Sequence, residues 1–319
     1  MQTLTNTVVT SSAPLVQYKS AMDIANGQLQ AGQIAEPLDE LFEDLLERRE
    51  QEPQGWAAYA QSCLSHPVCD LLHQDPFTYR AFAKPRGYAG DAVMMDYIYG
   101  LGEAAQAARN ATPLGRAIFQ YMGTRPSAKA VRYRRRLLAD LIDRVAARGG
   151  SSVLAIAAGH LREVELSTAV QAGKLQEFVA IDQDEASLSV VAGDYTHLGI
   201  KAVPGSVRQI LAGKANLGHY DFVYAAGLFD YLNAPVAAAL TRRMFEAIRP
   251  GGLMLIPNFL TGIRDVGYME SFMDWHLIYR NHADMQALAA VLPQTAMADC
   301  QIFDDSENTI TYLMVSKAS

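Results

Sequence analysis

Two short apolar segments, 153–157 and 178–182, lead into the residues that are best placed to do chemistry. The first runs into the small-residue turn Ala157-Ala158-Gly159, and the second ends at Asp182, which lies 23 positions beyond Gly159. A strand that enters a helix through a tight turn leaves backbone N–H groups free at its carboxyl end, where nucleotides commonly bind. An acid at about this spacing usually accepts the hydroxyl groups of a ribose. The pattern predicts an adenine-nucleotide site, although only one glycine of a G-x-G-x-x-G motif is present and Asp182 has the alternative role of a helix N-cap.

A second candidate region is the glycine loop AKPRGYAGDAVMMDYIYG, residues 83–100. Two glycines flank Tyr88, a proline precedes them, and Asp91 follows, which predicts a tight loop that Asp91 caps into a helix. Loops on a rigid scaffold often carry function. An ordinary turn between two helices is the alternative.

The elements that must position these residues change character near residue 150. Helical signals run from 17 to about 148, with an apolar stripe in EPLDELFEDLLERRE and a long helix that starts near Pro126. Beyond that point strands at 153–157, 178–182, 200–203, 222–226 and 252–257 alternate with helices that begin near Leu161, Glu185, Ser206 and Ala234. This alternation predicts a parallel sheet with helices on both faces. A helical insert near 262–292 and a final hairpin turning at residues 306–308 follow, so we expect two domains, 1–148 and 149–319.

Composition excludes several classes of protein. Half of the 319 residues are hydrophobic and 19% are charged, which is typical of a globular protein, and no apolar run reaches the roughly 20 residues that span a membrane. A net charge of −7 disfavours nucleic acid as a partner, and we interpret the arginine run Arg132, Arg134, Arg135 and Arg136 as a solvated face with acidic partners in the same chain. Three cysteines without CxxC spacing favour a reducing compartment and no structural zinc. Residues 1–16 lack the features of a signal peptide and are expected to form a mobile arm, so we predict a cytoplasmic protein.

Residues 150–319 resemble class I S-adenosylmethionine (SAM) methyltransferases. The resemblance rests on YDFVYAAGLFDYL and MFEAIRPGGLMLIPNF, which correspond to the fourth and fifth strands. It implies an α/β, Rossmann-like sheet of about seven strands that ends in an antiparallel hairpin. KPRGYAGD, AGHLRE, AGLFDYL and DWHLIYR are also similar to the bacterial extracellular-factor 3-hydroxypalmitic acid methyl ester biosynthesis proteins, and to SAM cyclases that form azetidine-2-carboxylate. This narrower resemblance implies an N-terminal all-helical domain that closes over the SAM site.

The resemblance also implies which residues bind SAM. Ala157, Gly159 and His160 pass under its methionine part, Asp182 holds the ribose hydroxyls, and the remaining cofactor-binding residues are Arg86, Tyr88, Gln183, Ser206, Val207, Ala226 and Gly227. Ser206 and Val207 flank the adenine, and Ala226-Gly227 approach the sulfonium. Two positions depart from the pattern. The acid that usually helps to hold the methionine ammonium is Ala155 here, and the usual acid after the third strand is Ser206.

Seven side chains are candidates for lining the reaction space: Tyr88, Asp91, Tyr231, Asn258, Trp275, His276 and Tyr279. An aromatic face beside a sulfonium adds about 1–2 kcal/mol of cation–π attraction when desolvated. Packing within one helix is the alternative for Trp275 and Tyr279. We predict a SAM-dependent methyltransferase acting on a small molecule in secondary metabolism or signalling, without a metal. A SAM cyclase and a non-catalytic SAM-binding module are the alternatives, and neither nucleic acid nor membrane is expected as a partner.

Overall fold

The computed structural model describes residues 20–215 and 217–319, so the arm expected over residues 1–16 lies outside the described part. The first half is helical: α1 Ala21–Gln30, α2 Ala35–Gln51, α3 Trp56–Cys63, α4 Val68–Leu72, α5 Pro76–Ala83, α6 Ala92–Tyr99, α7 Gly102–Asn110, α8 Pro113–Met122 and α9 Pro126–Ala147. Within the described residues, no helix has the length and apolarity needed to cross a membrane.

Strands and helices then alternate, as the sequence predicts. They are β1 Ser152–Ile156, α10 Thr168–Gln171, β2 Glu177–Asp182, α11 Glu185–Tyr195, β3 Ile200–Pro204, α12 Val207–Leu211, β4 Tyr220–Tyr224, α13 Ala234–Glu246, β5 Ile248–Phe259, α14 Val266–Ser271, α15 His282–Ala290, β6 Met297–Asp304 and β7 Ile310–Lys317. The strands form one sheet in the order β3-β2-β1-β4-β5-β7-β6. Strands β1 to β5 pair in parallel, and β7 pairs antiparallel with both β5 and β6. The predicted class I methyltransferase architecture, with its terminal hairpin, is confirmed.

Both faces of the central strands β1, β2 and β4 are buried because these strands are apolar at successive positions. Val153 and Ala155 of β1 face a core that continues into the N-terminal helices, including Leu38 and Phe42 of α2. Leu154 and other alternate residues face a second core under α13 and α15. The helical half therefore packs directly on one face of the sheet.

Helix α9 is the long helix that the sequence predicts, but its arginines differ in environment. The buried stripe of α9 includes Val131, Arg134, Leu137 and Leu141, so Arg134 faces inward and is 5% exposed. Arg135 has the acidic partner expected of this run, since it donates to Glu165 at 2.6 Å. The interpretation of the whole run as a solvated face is therefore wrong for Arg134.

The helix predicted from Leu161 is largely absent. Leu161 has a φ of +53°, and only a 3₁₀ turn, Arg162–Glu165, and the four-residue α10 follow it. A left-handed residue cannot continue an α-helix. Glu163, inside the 3₁₀ turn, is held inward by the hydroxyl of Tyr224 at 2.5 Å.

The insert is helical only in part, because residues 272–281 lie between α14 and α15 without helical structure. Asp274 has a φ of +44°, and the following chain is tied to the sheet: Ile278 N donates to Asp230 O at 2.7 Å, and Arg280 N to Phe259 O at 3.0 Å. Trp275 and Tyr279 therefore do not share a helix face, and the expectation of one helix over DWHLIYR is wrong.

Candidate active site

A cavity of about 360 Å³ lies at the carboxyl ends of β1, β2 and β4, between the sheet and the helical half. In open α/β sheets this edge is where ligands bind. Ten of the eleven predicted cofactor-binding residues line it: Tyr88, Ala157, Gly159, His160, Asp182, Gln183, Ser206, Val207, Ala226 and Gly227. The fold therefore brings these residues, which lie far apart in the sequence, together in one cavity.

The turn after β1 forms the floor of the cavity. Ala157 and Gly159 both have positive φ, at +53° and +56°. Such alternation turns backbone N–H groups into a concavity that suits anionic or polar ligand atoms. A Cβ added to Gly159 would lie 3.2 Å from the Cβ of Ala92, so this position keeps helix α6 close to the turn.

Asp182 lies at the end of β2, buried but lining the cavity. Its Oδ2 accepts from Gly159 N at 2.8 Å, and its Oδ1 from Asp184 N at 2.9 Å. Each carboxylate oxygen keeps a further acceptor site. Asp184, not Asp182, caps α11, so the N-cap alternative for Asp182 does not hold. The carboxylate of Asp182 is thus fixed in orientation and can still accept hydrogen bonds from a ligand.

Arg86 is the predicted cofactor-binding residue that does not line the cavity. Its Nη1 donates to Asp184 Oδ2 at 2.8 Å and to Ser187 Oγ at 2.9 Å, which ties the glycine loop to the start of α11. The same Nη1 lies 3.4 Å from Nε2 of His160, whose Nδ1 lies 2.8 Å from Asp96 Oδ2. Because a guanidinium only donates, Nε2 accepts and Nδ1 carries the hydrogen. Arg86 and His160 therefore connect the glycine loop to the turn after β1, and we call this contact the latch.

Asp96, on α6, anchors this latch. Burial alone would raise the pKa of Asp96, but hydrogen bonds from His160 and Arg162 outweigh it and leave that pKa below its usual value. Arg162 binds the carboxylate through Nε at 2.9 Å and Nη2 at 3.1 Å. Sequence reasoning missed both Asp96 and Arg162, which are 66 positions apart.

Three aromatic residues form one wall of the cavity. Trp275 Nε1 donates to the hydroxyl of Tyr231 at 2.9 Å, and the ring of Tyr88 meets that of Tyr231 edge-on at 6.4 Å between centroids. The loop closes tightly on this wall, since a Cβ on Gly90 would lie 2.2 Å from the Tyr231 hydroxyl oxygen and 2.8 Å from Cζ2 of Trp275. Burial raises the pKa of Tyr88 to about 12, so its hydroxyl stays protonated at neutral pH.

Four of the predicted lining residues do not line the cavity. Asp91 is fully buried, caps α6 by accepting from Met94 N at 2.9 Å, and pairs with Arg80 at 2.6 Å. Asn258 ties the end of β5 to the segment 272–281 through the carbonyl of Ile278 at 2.9 Å. The side chain of His276 is 60% exposed. Tyr279 packs away from the cavity, with the guanidinium of Arg49 5.9 Å from its ring centroid.

Three buried charged residues complete the lining: Arg134, Glu163 and Asp230. Asp230 accepts from Phe259 N at 2.7 Å, and burial raises its pKa to about 6. Burial also raises the pKa of Glu163. The sequence does indicate that Arg134 faces inward, because it stands three positions after Val131 and three before Leu137 on the apolar stripe of α9.

Comparisons with known proteins bear on the fold. No family model matches the chain, and no curated protein does. A solved structure described as a possible exported protein from Bordetella parapertussis has a TM-score of 0.50 at 14% identity, over 82% of this chain and 97% of that one. The SAM-dependent methyltransferase SibL, in its apo form, has a TM-score of 0.49 at 15% identity, over 94% of this chain and 96% of its own. The N-methyltransferase NodS from Bradyrhizobium japonicum, solved with S-adenosylhomocysteine, has a TM-score of 0.43 at 13% identity, over 59% and 88%.

The chain has the class I methyltransferase fold. At 14% identity the likeness to the structure with a TM-score of 0.50 concerns the fold alone. Strand order and register agree with it independently, because β7 lies antiparallel between β5 and β6.

Proposed function

We propose that this protein is a SAM-dependent methyltransferase that acts on a small molecule. The observation that carries the proposal is Asp182, whose carboxylate is held by two backbone N–H groups at the rim of a cavity that the turn after β1 also lines. That arrangement fits a ribose with two adjacent hydroxyls. Secondary metabolism or signalling is the setting that we propose for the acceptor.

The lining offers a complementary partner for each part of SAM. Asp182 would take the ribose hydroxyls, and Ser206, Val207 and Ile210 would flank the adenine. The aromatic wall of Tyr88, Tyr231 and Trp275 would lie beside the sulfonium. When bound, SAM supplies a sulfonium whose attached carbons are open to nucleophilic attack.

The work left to the chain is to position the reactants and exclude water. The tight contact of Gly90 with Tyr231 and Trp275 closes the cavity on the side of the helical half. The ion pair between Arg86 and Asp184 holds the same loop at its other end. If the molecule that accepts the methyl group carries an ionised carboxylate, the enzyme does not need to supply a general base.

A second candidate, SAM cyclisation to azetidine-2-carboxylate, is favoured by the size of the cavity. Small-molecule sites span about 300–1,000 Å³, and about 360 Å³ lies near the lower limit. A cyclase needs space for SAM alone, whereas a methyltransferase must also admit an acceptor. The same fold serves either reaction, so the products must distinguish them.

Mass spectrometry of the products tests this proposal. With SAM and a panel of carboxylic acids, phenols and amines, we expect S-adenosylhomocysteine (SAH) and a methylated acceptor. SAM alone should yield no methylthioadenosine above the non-enzymatic rate measured without the protein. Methylthioadenosine and a four-membered amino acid formed from SAM alone would replace methyl transfer with cyclisation. Absence of turnover with SAM bound would favour the non-catalytic alternative.

A further inference from the structure

Arg134 is a buried cation without an ionic partner in the described part of the chain. Its guanidinium lines the cavity, and its hydrogen-bond partners are uncharged: the sulfur of Met95 at 3.5 Å and the hydroxyl of Tyr99. No carboxylate of the described residues lies within 4.0 Å of it, whereas the neighbouring Arg135 is paired with Glu165 at 2.6 Å. A buried charge is costly unless it is paired. A ligand anion would supply the missing partner.

Glu163 is a buried acid at the same cavity, and it has no cationic partner in the part of the chain that the structure describes. It is 7% exposed, lines the same cavity, and has no cation within 4.0 Å among the described residues. Its Oε1 accepts from the hydroxyl of Tyr224, which is itself 1% exposed on β4. This hydrogen bond fixes the carboxyl group where it reaches the cavity. A ligand cation would favour its ionised form.

Both residues lie at the same end of the cavity. Glu163 follows β1, and the nitrogens of Arg134 lie 3.8 and 3.9 Å from the position of a Cβ on Gly227, just after β4. Strands β1 and β4 are neighbours, while Asp182 ends β2 on the other side of β1. The cavity thus has an end suited to a ribose and an end with one unpaired cation and one carboxyl group that has no cation within 4.0 Å among the described residues.

An α-amino acid group carries a carboxylate, which would complement Arg134, and an ammonium group, which would complement Glu163. Ala155, inside β1, is fully buried and does not line the cavity, so β1 itself supplies no charged group at this end. Glu163 places a carboxyl group there from the following turn instead. The groups that interact electrostatically with Arg134 are Glu163, Asp230, Tyr99, Tyr231 and Tyr312. Neither of the two acids pairs with it within 4.0 Å.

We propose that Arg134 and Glu163 form a clamp for the amino-acid part of SAM, Arg134 binding its carboxylate and Glu163 its ammonium group. This inference rests on the proposed function. It adds a charge-specific subsite that a ligand without the amino acid does not use.

Calorimetry with truncated ligands tests the clamp without turnover. The ligands are SAH, decarboxylated SAH, which keeps the amine, and methylthioadenosine, which lacks the whole amino acid. Arg134→Met should weaken SAH binding by about 10- to 100-fold, as expected for a charge-assisted pair, and leave decarboxylated SAH within about twofold. Glu163→Gln, which keeps an acceptor for Tyr224, should weaken both amine-bearing ligands and leave methylthioadenosine unchanged.

The matched control is Arg136→Met, an exposed arginine two positions further along α9, which should bind all three ligands as the wild type does. Arg134→Lys, which keeps the charge, should retain part of the affinity for SAH. If Arg134→Met weakens SAH and decarboxylated SAH equally, or neither, the clamp is wrong. If the wild type binds neither SAH nor methylthioadenosine, the proposed function fails instead.

Discussion

Asp230 is a cavity-lining residue whose charge changes within an accessible pH range. It is 3% exposed and lines the cavity after β4. Burial raises its pKa to about 6, although the N–H of Phe259 donates to its carboxylate. Below about pH 6 Asp230 is therefore neutral, and above it the residue carries a negative charge that attracts a sulfonium.

The negative charge of Asp230 above about pH 6 predicts a preference for SAM over SAH. The two ligands differ only at the sulfur, which in SAM carries a methyl group and a positive charge. From pH 5 to pH 8 the affinity for SAM relative to SAH should rise by about tenfold, or some 1.4 kcal/mol. Asp230→Asn keeps an acceptor for Phe259 N and should remove the rise. Titration calorimetry at both pH values measures it. A ratio that does not change in the wild type, or that changes equally in Asp230→Asn, would show that Asp230 does not act on the sulfonium.

Local sequence pattern identifies some residues of this site and not others. The spacing of Gly159 and Asp182 was informative because both end adjacent parallel strands, and the structure joins them by a hydrogen bond of 2.8 Å. Glu163 gave no such signal, since its inward direction depends on the left-handed Leu161 and on Tyr224. The loop position of Asp91 predicts that it lines the cavity, but its hydrogen bond from Met94 N and its ion pair with Arg80 account for its burial instead.

At the scale of elements, the glycine loop and the segment 272–281 close the cavity together. Lys84 pairs with Asp274, Arg86 with Asp184, and Gly90 fits against Trp275. Each contact joins the loop to an element that also borders the cavity. We therefore expect this loop to act as a lid.

Hydrogen exchange tests the lid. Amides of residues 84–91 should exchange at least about tenfold more slowly when SAH is bound, because opening must then compete with ligand contacts. In Gly90→Ala the added Cβ overlaps the hydroxyl of Tyr231, so this protection should be lost. Strand β6, which lies at the edge of the sheet and contributes no residue to the cavity lining, provides the internal control. Equal exchange of residues 84–91 with and without SAH, while SAH is bound, would contradict the lid.

The order of elements was predictable from the sequence, but two of their conformations were not. Buried strands alternating with amphipathic helices specify the sheet and its crossovers through local periodicity. The turn at Leu161 and the extended chain around Trp275 depend on left-handed residues and on hydrogen bonds to Asp230 and Phe259, which are remote in sequence. A helical pattern in DWHLIYR was overridden by these tertiary contacts.

At the scale of the whole molecule, the site lies where the helical half and the sheet share one core. That core extends from Leu38 of α2 through Trp275 to Tyr312 of β7. The sheet supplies Asp182 and the turn, while the helical half supplies Tyr88 and Arg134. Neither half encloses the cavity without the other, so the architecture and the site are coupled.

Calorimetry on the full chain measures whether this cavity binds SAM through Asp182. We predict one SAM per chain for the wild type, and for Asp182→Ala a loss of about 2 kcal/mol, or some thirtyfold in Kd, because its hydrogen bonds to the ribose are charge-assisted. Asp140→Ala, an exposed acid on α9, should bind as the wild type does. Unfolding curves without ligand establish that each variant is folded. A folded wild type that does not bind SAM, or a folded Asp182→Ala that binds it with unchanged affinity, would contradict the account.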